Sequence, residues 1–221
     1  MHFLQVIDVG LFFGLTAFVL QITGYIFYSF HIFRGRTQPN ASSWFMWLVG
    51  GVIEYLTFDA IGESHISTSA LPLACVIGLV ILFSTTLIMQ LRAEFYPERH
   101  KKVSYHAPER SDYFLTSFDI GAGLLWVFWN VAALANFLAV STSILSFIPI
   151  WKTTYRHNKE DAAPWLIWCL AYSCMFVAVL FDGNDALLSK SFYPLYYLFL
   201  HLVVLLLCLP RTRIFRYLHS N

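Results

Sequence analysis

The chain has 221 residues, of which 58% are hydrophobic and only 12% charged, where a soluble domain carries about a quarter charged. A mean hydropathy of +0.62 cannot be hidden in one water-soluble core of this size. The formal net charge of +1 gives no footing for nucleic-acid binding.

Apolar runs of about 18 or more residues recur, and each reads as a membrane-spanning helix. The first, residues 4–33, is long enough to tilt or to project beyond the bilayer. It has no basic flank before it and no convincing cleavage site after it, so it reads as a retained helix rather than a signal peptide. Gln21, Tyr25 and Tyr28 form a polar stripe on it, with Gly10 and Gly14 further along the same face. Such a stripe either lines a pathway or satisfies hydrogen bonds between helices, and the Gly10/Gly14 pair allows close helix contact.

A basic turn from Arg34 to Asn40 leads into a second run, residues 43–60. Trp44, Trp47, Gly51, Glu54 and Phe58 follow at spacings of 3, 4, 3 and 4 and share one face. Glu54 lies about 16 Å into this helix, near the bilayer midplane. A carboxyl group at that depth is costly and usually faces a polar interior. Glu54 is therefore a candidate solute contact or proton-coupling carboxylate, the alternative being a protonated Glu that bonds a neighbouring helix. A third run, 69–92, opens at Pro72, and residues 93–112 form the longest polar stretch.

Between Ser117 and Tyr155 no Gly/Pro cluster interrupts the apolar residues. One helix there would be about 58 Å long, nearly twice the hydrocarbon thickness. The run is therefore divided near Asn130 into 113–130 and 133–154. Asp119 and Asn136, both partly embedded, either contact solute or bridge helices. Thr142, Ser146 and Pro149 repeat the polar stripe of the first run, and Pro149 removes a backbone hydrogen bond and allows bending. Runs 163–182 and 192–210 complete the set. On the last, Pro194, Tyr197 and His201 share a face, and His201 either pairs with Glu54 or packs as a satisfied imidazole. Trp44, Trp47, Trp165 and Trp168 stand near helix ends, as membrane anchors or as an inner gate. Asp59, Glu63, Asp182 and Asp185 crowd the opposite ends and read as solvated.

With seven helices, 13 of the 14 Lys and Arg fall on one side and only Lys190 on the other. With six, they divide 8 against 6. The positive-inside rule thus selects seven, with the N-terminus outside and the C-terminus in the cytoplasm. Sliding the chain by 121 residues lays Ala41-Ser42-Ser43-Trp44-Phe45-Met46-Trp47 on Ala162-Ala163-Pro164-Trp165-Leu166-Ile167-Trp168. Further on, Phe58-Asp59 and Phe181-Asp182 each precede a proline, Pro72 or Pro194. Two three-helix units joined by one extra helix are parallel repeats, here residues 1–92 and 132–221 with 93–131 as loop and linker helix. Glu54 falls opposite Met175, so the halves are not equivalent.

The four cysteines, Cys75, Cys169, Cys174 and Cys208, all lie inside apolar runs at spacings that match no metal or disulfide framework. No His-x-x-x-His cluster, Gly-x-Ser-x-Gly or phosphate-cradling loop is present, so neither an enzyme nor a bound metal or cofactor is expected. Segments Ser146-Phe147-Ile148-Pro149-Ile150-Trp151-Lys152-Thr153 and Thr37-x-Pro39-Asn40-x-Ser42-Ser43-Trp44-x-x-Trp47, with Trp165-x-x-Trp168, resemble the PQ-loop repeat superfamily and its SWEET-like transporters. The likeness is greatest to uncharacterised bacterial members. Ile150 stands where that pattern has Gln, and Tyr28-Ser29 where its first Pro-Gln would be. The paired asparagines of the sugar transporters are not found, Cys75 and His201 standing instead.

The resemblance implies an all-α, seven-helix transporter of a small polar or amphiphilic solute, working by alternating access in a bacterial inner membrane. Glu54, His201, Gln21, Tyr25, Asn136, Ser146 and Tyr197 would line its path. Trp44, Trp47, Trp165 and Trp168 would gate it, and Pro149, Pro72 and Pro194 would act as hinges. The expected partners are the bilayer and the solute, with homo-oligomerisation left open. The alternative is a receptor or sorting protein on the same scaffold, which binds without flux.

Overall fold

The computed structural model describes residues 8–37, 41–61, 66–95, 110–157, 160–181 and 187–209. Among them run seven α-helices: α1 Val9–Phe33, α2 Ala41–Asp59, α3 Ile66–Phe95, α4 Arg110–Trp129, α5 Ala132–His157, α6 Ala162–Phe181 and α7 Leu187–Cys208. Glu63, Asp182, Asp185 and the basic C-terminal tail lie outside the described residues, as do the side chains of Asp119 and Pro149.

Local chemistry accounts for the boundaries. Asp8 caps α1 by accepting a hydrogen bond from the Leu11 amide at 3.2 Å. Gly35, with φ +66°, closes it by turning the chain into the left-handed region, which costs glycine nothing. The long apolar run breaks at Asn130, whose φ is 54° and whose amide still bonds Trp126 O at 2.7 Å. Asn is among the few non-glycine residues that enter this region readily. One departure concerns the prolines. Pro72 and Pro194 were expected to open their helices, yet both stand inside, because α3 starts at Ile66 and α7 at Leu187. Six or seven residues of preceding chain wind into the same helix, and each proline supplies no amide hydrogen to the turn before it.

Among the described residues four helical stretches are long and apolar enough to cross a membrane: Val9–Phe33, Ile66–Arg92, Ala162–Phe181 and Leu187–Cys208. α2 buries Glu54 and Thr57, and α5 carries Thr142, Ser143 and Ser146 half-buried. Large apolar side chains such as Phe12, Val19, Ile26, Phe199 and Leu206 are exposed on the outside of the helices, a surface suited to lipid tails rather than water. The architecture is that of an α-helical membrane protein.

α3 packs against both α1 and α2, and α7 against both α5 and α6. Across these groups α1 meets α6 and α2 meets α5, while α4 lies on α2 and α5. The starts of α2 and α6, and those of α3 and α7, are each 121 positions apart, the offset of the Trp-x-x-Trp repeat. Helices approach closely where glycine permits. A Cβ on Gly14 would lie 2.0 Å from the Ser67 carbonyl oxygen of α3, and one on Gly24 would lie 2.4 Å from the Trp168 indole nitrogen of α6.

Candidate functional site

Glu54 is buried, together with Trp44, Gly51 and Phe58 on the same face of α2, while Phe45, Val52 and Leu56 are exposed. The 3.6-residue period thus turns the mid-helix carboxyl inward. Its Oε1 accepts a hydrogen bond from the Tyr197 hydroxyl of α7 at 2.5 Å. From α5, the Asn136 amide donates to the Glu54 backbone carbonyl and to Thr57 Oγ1, both at 3.1 Å. Three helices therefore meet at one residue.

The cluster continues through α6, α3 and α1. The Tyr197 ring stacks on Tyr172 with centroids 5.4 Å apart and planes 15° from parallel. The Tyr172 hydroxyl lies 3.5 Å from Cys75 Sγ, to which Tyr193 also donates at 3.6 Å. Gln21 reaches the same sulfur from α1 at 3.2 Å and the Tyr25 hydroxyl at 3.4 Å. Gln21 is fully buried, and its Oε1 has no hydrogen-bond partner among the described residues.

His201 lies in an aromatic cage, with the rings of Tyr172, Phe147, Trp165 and Trp168 at 4.9, 5.2, 5.5 and 5.6 Å. Its Nδ1 is 2.7 Å from the Tyr197 backbone oxygen. α7 approaches Glu54 through Tyr197, one turn before His201. Sequence reasoning placed Tyr197 on the right face but did not pair it, since the contact spans 143 positions. Ser146 donates to the Ser143 carbonyl of its own helix at 2.6 Å and is half-buried. Asn136 also lies on the floor of a groove of 580 Å³ between the N-terminal halves of α5 and α7, walled by Phe137, Phe192, Leu195 and Phe199.

Trp44, Trp165 and Trp168 are buried and Trp47 half-buried, so these indoles face inward and not towards lipid headgroups. Trp165 Nε1 donates to Glu160 Oε2 at 3.3 Å, and the Tyr28 hydroxyl donates to Oε1 at 3.2 Å. Trp168 Nε1 donates to the Gln21 carbonyl at 3.4 Å. Beside this seam Asp161 lies 3.3 Å from His31 Nδ1, an electrostatic contact without hydrogen-bond alignment, and 4.0 Å from Arg36. Burial pushes the Glu160 carboxyl up to about 7, outweighing its two donors, and the charge of Asp161 adds to the rise. Glu160 was not singled out from the sequence. Its only signal is an acid within a basic turn, five residues before Trp165.

Among the described residues no group of three His, Cys, Asp or Glu is disposed to hold a metal ion. Comparisons with protein-family models, characterised proteins and solved structures find no match to this chain. What the site can do chemically is exchange a proton at a buried carboxyl, offer hydroxyl and amide groups to a solute, and stack aromatic rings against it.

Proposed function

We propose that this protein is an integral membrane transporter of a small polar or amphiphilic solute, working by alternating access, with Glu54 as its proton-bearing group. One observation carries the reading: a buried carboxyl sits where α2, α5 and α7 meet, held across helices by Tyr197 and Asn136. Buried ionisable groups in membrane helices are costly and belong to pathways and proton relays more than to packing.

The paired contacts of α1 with α6 and α2 with α5, at one sequence offset, support two parallel three-helix units joined by α4. They fit a member of the PQ-loop-like class, with the N-terminus outside and the basic helix ends in the cytoplasm of a bacterial cell. In such repeats the solute site lies at the interface and one unit rocks against the other. Pro72, Pro149 and Pro194 are the expected points of bending. The apolar groove ending at Asn136 suits a solute with an apolar portion that arrives from the bilayer.

The test is uptake of a labelled solute panel by proteoliposomes with and without a pH gradient. Saturable flux is the expected result. Tight binding of a solute with no flux would replace the transporter by a receptor.

A further inference from the structure

Two buried indole nitrogens, Trp47 Nε1 of α2 and Trp151 Nε1 of α5, have no hydrogen-bond partner among the described residues, and neither has Thr154 Oγ1, three residues after Trp151 on α5. Phe147 links the two indoles, its ring stacking on Trp47 with centroids 5.2 Å apart and meeting Trp151 at 6.1 Å. Phe147, Trp151 and Thr154, at spacings of 4 and 3, share one face of α5. Buried polar groups of native proteins are nearly always satisfied by protein, water or ligand, so two orphaned indoles on either side of one ring, with an orphaned hydroxyl on the same face of α5, need an explanation.

Two comparisons within the chain sharpen it. Thr16, Thr23, Thr57 and Thr86 all donate to the carbonyl four residues earlier in their helices. Thr154, only 1% exposed, does not use that local solution. The second comparison is between the two seams. At the α1/α6 seam the chain supplies its own acceptors, since Trp165 and Tyr28 donate to Glu160 and Trp168 to the Gln21 carbonyl. Trp47 is the repeat counterpart of Trp168, and Pro39 stands where the first half would need its Glu160. The α2/α5 seam thus has the donors without the carboxylate.

We propose that this seam is a subsite for the carboxylate of a small organic acid, bound by the indole N–H groups of Trp47 and Trp151 with Thr154 beside them. An indole nitrogen only donates, so the missing partner must be an acceptor. Charge is complementary too, because the sequence carries Arg34 and Arg36 before α2 and Lys152 and Arg156 in the last two turns of α5. Asp161, an acid at that end, is already faced by His31 and Arg36, and Glu160 is held by Tyr28 and Trp165. A planar carboxylate with one charge and two oxygens matches two donors, and the Phe147 and Trp47 rings suit an apolar or aromatic body. The proposal names a solute class for the transporter and to that extent rests on the transporter reading.

The experiment titrates the purified protein with phenylacetate and with benzylamine, a probe of similar size that offers donors only, following binding calorimetrically. Wild type should bind phenylacetate saturably and benzylamine not at all. Trp47→Phe and Trp151→Phe keep a ring in place and remove one N–H each. Each should weaken phenylacetate binding about ten-fold or more, with wild-type melting temperature as the check on folding. Equal binding by both probes, no binding by wild type, or unchanged affinity in folded Phe variants would overturn the subsite. Phenylacetate binding that depends on the two indoles but gives no liposome flux keeps the subsite and removes the transporter. Saturable flux of some other solute, untouched by Trp47→Phe and Trp151→Phe, does the reverse.

Discussion

Glu160 ties Tyr28 of α1 to Trp165 of α6, beside the Trp168–Gln21 hydrogen bond and the ring contacts of the same seam, and its ionisation should be visible in stability. The carboxyl is pushed up to about 7 in the folded protein, from an ordinary value of 4.5. Below both values the folded and unfolded states are equally protonated. Between them the folded state keeps a proton that the unfolded chain gives up, so stability falls as pH rises through this window and levels off above it. Thermal melting in detergent at about pH 5 and about pH 7.5 should show a drop of a few degrees. Glu160→Gln should remove most of that drop, and an equal drop in both proteins would refute the assignment. At this scale the sequence was informative about single positions and silent about pairs. The depth of Glu54 follows from counting along its helix, but its bond to Tyr197 depends on how α2 and α7 are brought together. Trp is equally at home at a headgroup layer and in a packed core, so sequence alone left Trp44, Trp165 and Trp168 undecided.

Helices α1 and α3 pack through Gly14, where an added methyl group would meet the Ser67 backbone rather than a movable side chain. Gly14→Ala should therefore destabilise the protein by about 1–3 kcal/mol, the range of core overpacking. At Gly121 a Cβ meets nothing within 4 Å. Gly121→Ala should leave stability unchanged or slightly raise it, because alanine favours helix by about 1 kcal/mol. Unfolding of the two variants side by side checks the contrast. The break at Asn130 makes a second demand on the chain. Asn130→Ala forces an ordinary side chain into the left-handed region and should cost about 1 kcal/mol, whereas Asn130→Gly should be tolerated. Melting of both variants tests this, and equal melting would mean that the junction does not need its conformation. The division at Asn130 was legible because helix length and bilayer thickness conflict across one long run. The starts of α3 and α7 were not, because proline ordinarily marks a first turn and here lies in the second.

Over the whole molecule, alternating access requires that two units move against each other around a site reached from either face. In the proposed scheme the contacts of α1 with α6 and of α2 with α5 are the two seams where such movement would occur. They differ in chemistry: one is closed by Glu160 of the chain itself, the other carries donors without a partner. The seven-helix order, the Trp-x-x-Trp repeat and the spacing between units could be read from charge and self-similarity along the sequence. The contact of α3 with both its neighbours could not, since nothing in an apolar run says which helix will lie in the middle. Orphaned donors are likewise a property of packing and leave no mark in sequence.

Net solute uptake driven by a pH gradient, compared with solute counterflow at equal pH, tests the role of Glu54 most directly. Wild-type proteoliposomes should show both. Glu54→Gln keeps the shape and the bond to Tyr197 but carries no exchangeable proton. The account predicts that this variant loses gradient-driven uptake and retains counterflow. Uptake that follows the gradient equally in both proteins would contradict it.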